Sequence, residues 1–106
     1  MDEQAFRACV RGTLDRIRLA LDALPTDALD LGSQEGVLAL EFEDAEPWIL
    51  SQQVPVQELW LAADRHAWHF VLDGDRWRER GSAETLEAIL GGRLSARLGF
   101  PVDLEG

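Results

Sequence analysis

The chain has 106 residues, 46% of them hydrophobic and including four Trp and four Phe, enough apolar matter for one packed core and too little length for two. Twenty acidic residues against ten basic ones give a formal charge of −10, a sign that repels phosphate backbones and anionic lipids and argues against nucleic-acid and membrane partners. Cys9 is the only cysteine, which excludes an internal disulfide and a cysteine-based zinc site; with the acidic start Met1-Asp2-Glu3-Gln4 it fits a reducing, cytoplasmic setting. Metal cations or basic protein patches suit such a charge better, although solubility alone accounts for the same excess.

Residues 3 to 24 place Phe6, Val10, Leu14, Ile17, Leu21 and Leu24 at steps of three and four, one stripe of an amphipathic helix with Asp2 as its N-cap. Pro25-Thr26-Asp27 stops that helix. The period then changes to two. Leu29-Asp30-Leu31 reads as a short strand, residues 32 to 36 as a turn, and Leu38, Leu40 and Phe42 as the inward side of a second strand. A turn over Asp44-Ala45-Glu46-Pro47 precedes a strand from Trp48 to Gln52, and Pro55 breaks the chain before a strand from Glu58 to Ala62. Ala67 to Leu72, a tight turn at Asp73-Gly74 and a return through Arg76 to Glu79 complete an antiparallel meander. Ser82 is the expected cap of a second helix, whose Leu86, Ile89, Leu90, Leu94 and Leu98 face inward across the interruption Gly91-Gly92. Gly99 and Pro101 close it, and the tail from Phe100 to Leu104 is apolar enough to lie back over the core. Helix, meander, helix predicts an α+β fold, a two-layer sandwich with two helices on one face of an antiparallel sheet, as a single domain over residues 1–106.

Strand alternation sorts the sheet's side chains. Leu38, Leu40, Phe42, Trp48, Leu50, Leu59, Leu61, Trp68, Phe70, Leu72 and Trp77 form the inner set. The outer set combines Ile49, Trp60 and Val71 with Glu41, Ser51, Gln53, Glu58, His69, Arg76 and Arg78. An exposed Trp in a polar frame has the composition of a protein-docking patch. His66 and His69 are an odd number of residues apart, point to opposite faces of their strand and cannot chelate one metal together. Cys9 reads as a small core residue, the Trp residues other than Trp60 read as core, and Ser51 and Ser82 lack the His and Asp of a hydrolase triad.

Gly36-Val37-Leu38, Gln53-Val54-Pro55, Trp60-Leu61-Ala62, His69-Phe70, Asp73-Gly74-Asp75-Arg76-Trp77 and Gly81-Ser82, in this order and spacing, resemble the frataxin family in its bacterial CyaY type. The resemblance spans nearly the whole chain and is most specific between Gly36 and Leu90. It implies an iron-binding protein of iron–sulfur cluster assembly, carrying iron to, or regulating, a cysteine desulfurase and a scaffold protein, and a monomer when no metal is bound. It places iron on the edge formed by the first helix and strand, here Asp15, Asp22, Asp27 and Asp30 with Glu35, and places partners on the outer face at Trp60, Gln53, Ser51, Glu58, His69, Ile49 and Val71. Two departures stand out. Arg18, Leu19 and Ala23 occupy places where acids are expected, so fewer irons are expected to bind, weakly and at the surface. Ser51 and Glu58 stand where the family usually has Asn and Gln, which makes the expected docking face more acidic. The competing readings are a metal-independent module that modulates the desulfurase and a ferroxidase acting at the same carboxylates.

Overall fold

The computed structural model describes residues 1–105, which form α1 (Glu3–Asp22), β1 (Leu29–Gln34), β2 (Val37–Phe42), β3 (Ala45–Gln53), β4 (Glu58–Ala63), β5 (His66–Asp73), β6 (Arg76–Glu79) and α2 (Leu86–Leu98). The six strands make one antiparallel sheet in sequence order, a meander with β1 and β6 at its edges. Two helices lie on one of its faces, the predicted two-layer α+β arrangement. Neither helix is long and apolar enough to cross a membrane.

The apolar stripes supply the contact between layers. Phe6, Val10 and Ile17 of α1 and Leu86, Leu90 and Leu94 of α2 meet Leu38, Leu40, Leu50, Leu59, Leu61 and Phe70 of the sheet, all at most 1% exposed. Trp77 completes this core; its Nε1 donates to the buried Thr13 Oγ1 at 3.0 Å, and its ring packs edge-on to Phe6. The tail returns as expected, burying Val102 and Leu104 beside α2. This explains one of the two helix glycines: a Cβ at Gly91 would lie 3.0 Å from the Val102 carbonyl oxygen. Asp2 caps α1, its Oδ1 accepting from the Ala5 N–H at 2.7 Å.

Several boundaries depart from expectation. The helix ends at Asp22, before the last apolar residue of the stripe, and Pro25, which has no N–H to give, cannot extend it. Polar residues 32 to 34 are strand and not turn, since all six residues of β1 pair with β2; only Glu35 and Gly36 turn, Gly36 at φ +73°. Ala45 to Pro47 belong to β3, and the turn is Glu43-Asp44. Pro47, which has no N–H to give, sits at the register shift between Leu40 and Phe42, where a ladder bond is already missing. The last hairpin turns at Gly74-Asp75, one residue later than expected. Thr85, and not Ser82, caps α2: its Oγ1 accepts from the Ala88 N–H at 3.1 Å, while the Ser82 backbone and side chain both bond Glu79 Oε1. Trp68 and Leu72 are only half-buried; Trp68 lies at the rim with the Arg93 guanidinium 4.7 Å above its ring. Cys9 is half-buried against the core.

Candidate functional site

The helices leave the other face of the sheet bare, and strand register sets side chains across it in rows. Val37, Ser51, Trp60 and His69 stand abreast on β2, β3, β4 and β5. Gln53, Glu58, Val71 and Arg78 form the row on one side, and Ala39, Ile49, Ala62 and Ala67 the row on the other. All seven predicted docking residues therefore share one face and three adjacent strands. The alternation that buries Leu59 and Leu61 turns Trp60 outward, where it is half-buried.

At the centre the side chains are bonded to one another. The Trp60 Nε1 donates to Glu58 Oε1 at 2.8 Å. The His69 ring stacks on the indole, centroids 4.2 Å apart and planes 9° from parallel. Arg80 Nη1 lies 3.3 Å from Glu58 Oε2, and His69 Nδ1 lies 4.0 Å from Glu58 Oε1. Beside them Gln53 Nε2 donates to Ser51 Oγ at 3.2 Å. Val71 is an exposed large apolar member, at 36%. One expectation changes: Glu58 is no exposed acid on the rim, being 7% exposed with both oxygens engaged beneath the surface. A buried carboxylate needs such partners. Sequence reading missed Arg80, which follows the last residue of β6; the signal was the step of two through Arg76, Arg78 and Arg80.

The acids expected on the helix–strand edge are spread out. Asp15 borders a groove with Glu35 that is also lined by Arg7 and Arg11. Asp22 Oδ2 sits 3.5 Å from Arg18 Nη1, so the basic residue inserted in this series neutralises its neighbour. Asp27 is exposed in the connection after α1. Asp30 is paired with Glu41 across β1 and β2 on the bare face, turned from the helix layer. Among the described residues no three His, Cys, Asp or Glu side chains are gathered so as to hold a metal ion together. His66 and His69 lie on opposite sides of β5, as their spacing requires: His66 pairs with the inward Ala63 and His69 with Trp60.

Residues 1–100 match the family model described as a frataxin-like domain. The chain belongs to that family. It is 35% identical to the iron–sulfur cluster assembly protein CyaY of Cupriavidus taiwanensis over 102 residues, 93% of this chain and 92% of that protein. It is 35% identical to the protein of the same name from Pseudomonas aeruginosa over 108 residues, covering 100% of this chain and 99% of that one. Among solved structures, frataxin from Psychromonas ingrahamii superposes with a TM-score of 0.91 at 20% identity, covering all of both chains. Trimeric yeast frataxin complexed with ferrous iron gives 0.69 at 22% identity, over 93% of this chain and 88% of that one. At these identities the structural likeness speaks for the frataxin fold, and the family membership rests on sequence.

Proposed function

We propose that this chain serves iron–sulfur cluster assembly, the role named for its CyaY relatives, as a binding protein that docks on the assembly machinery through the Trp60 face and holds iron weakly at its acidic edge. The observation that carries this reading is the half-buried Trp60, fixed by Glu58 and His69 on the sheet face that no helix covers. Ser51, Gln53, Ile49 and Val71 supply the mixed polar and apolar frame that a docking patch needs. The partners are the cysteine desulfurase and its scaffold, and the setting is the cytoplasm.

Iron is cargo in this reading. Asp15, Asp22, Asp27, Asp30 and Glu35 are exposed carboxylates, hard oxygen ligands of the kind iron accepts. Scattered and partly countered by Arg7, Arg11 and Arg18, they bind it with dissociation constants on the order of micromolar to millimolar, loosely enough to release it. The same scatter favours a second reading, a regulator of the desulfurase that needs no metal. A ferroxidase would require carboxylates gathered about iron and oxygen, which this edge does not supply.

Two measurements test the proposal. Trp60→Ala is expected to weaken binding to the desulfurase–scaffold assembly at least about tenfold while leaving the circular-dichroism spectrum unchanged; an unchanged dissociation constant removes Trp60 from the docking surface. Replacing Asp15, Asp22 and Asp27 by Asn and titrating ferrous iron by calorimetry decides between carrier and metal-free regulator. Loss of iron with retained effect on desulfurase rate selects the regulator.

A further inference from the structure

The outer face holds a buried charge that docking does not require. Glu58 is 7% exposed on a sheet face that is otherwise open, and a carboxylate at that depth is costly unless donors surround it. Its two oxygens are divided: Oε1 takes the Trp60 N–H at 2.8 Å, and Oε2 faces Arg80 at 3.3 Å. An indole has one N–H and no acceptor, so a Trp60 already bonded to a carboxylate has no polar group left to offer. The parallel His69 ring, 4.2 Å away, covers one π face. What Trp60 has left to offer is the ring itself, its edge and the π face away from His69.

We propose that Glu58 is the positioning residue of this face: held by Arg80, it anchors the Trp60 indole by its N–H and clamps the ring against His69, so that Trp60 meets a partner as an apolar plate and never as a hydrogen-bond donor. The partner group that fits is a flat apolar side chain or a guanidinium stacked on the free face. This rests on the docking role of Trp60 proposed above. The Gln more usual in the family at this position could accept the same N–H through its amide oxygen, whereas the carboxylate also draws in Arg80.

Exchange of the indole hydrogen tests positioning in the free protein, apart from any docking. With 15N-labelled tryptophan, the Trp60 Nε1–H of the unaltered chain is expected to exchange at least about tenfold more slowly than that of an exposed indole. Glu58→Gln should keep that protection within about threefold, and Glu58→Met, which fills the same space without the carboxylate, should lose it. Fast exchange in the unaltered chain overturns the proposal with no variant needed, and so does full protection in Glu58→Met. Binding to the desulfurase–scaffold assembly tests the plate. Glu58→Met, which keeps the indole and releases its N–H, should weaken binding at least about fivefold where Trp60→Ala loses about tenfold or more. Binding kept or strengthened in Glu58→Met shows that the partner takes the N–H and overturns the plate. If Trp60→Ala binds normally, the docking reading fails, and the exchange data still decide what Glu58 does.

Discussion

Trp77 and Trp60 lie on opposite faces of one sheet, and each gives its N–H to a side chain: Trp77 to Thr13 Oγ1 at 3.0 Å, Trp60 to Glu58 Oε1 at 2.8 Å. Trp77 is 1% exposed beneath α1 and reaches across 64 residues of chain, tying the first helix to the last strand. Trp60 bonds two residues away along its own strand and leans on its cross-strand neighbour His69, so its bonds tie nothing but the surface itself. A tryptophan that holds layers together is satisfied from the opposing layer. One satisfied from within its own face adds nothing between layers and, under the docking proposal, is held for presentation. That proposed division between stability and function can be tested side by side.

The largest expected effect is on the covered face. Trp77→Ala should cost about 3–5 kcal/mol in urea denaturation, because it removes a fully buried ring from the centre of the core. Thr13→Val keeps the shape and leaves the Trp77 N–H without a partner, an expected loss of about 1–3 kcal/mol by the same measurement. On the bare face Trp60→Ala should cost about 1 kcal/mol or less, with its effect concentrated in partner affinity. If Trp60→Ala unfolds the chain as readily as Trp77→Ala, the two faces are not divided in this way. The smallest effect belongs to the acidic edge. Asp30 and Glu41 oppose one another across β1 and β2, so Asp30→Asn should raise stability by a few tenths of a kcal/mol, detectable as a small increase in urea midpoint at low salt that fades at high salt.

The covered face was legible in the sequence because burial imposes a period. The stripe from Phe6 to Leu21 and the alternating Leu38, Leu40, Leu50, Leu59 and Leu61 all appear where the pattern puts them. Where no burial acts, reading failed in detail. Edge strand β1 carries polar Ser33 and Gln34, whose membership is set by backbone pairing with β2 and not by side-chain character. Ser82 and Thr85 are both chemically fit to cap a helix, and only the turn that closes on Glu79 decides between them. For the site, alternation and family resemblance together gathered all seven outer residues, since parity alone fixes the face of a strand residue. Neither could show that Glu58 is buried, because depth on an open face depends on which long side chains fold over it, here Arg80 from beyond the end of β6. The acidic edge was legible as a list of carboxylates and not as an arrangement: Asp30 follows strand parity onto the far face, while Asp22 is drawn to Arg18.

In the proposed function Trp60 marks the partner-facing side of the molecule while iron sits elsewhere. The most direct test is a titration of the 15N-labelled protein, first with the desulfurase–scaffold assembly and then with ferrous iron. The expected result is that the assembly shifts or broadens the signals of Trp60, His69, Ser51 and Gln53, and that iron broadens those around Asp15, Asp22 and Asp27 while the Trp60 indole stays sharp. Assembly-induced changes confined to α1, with the Trp60 signals unmoved, would contradict it.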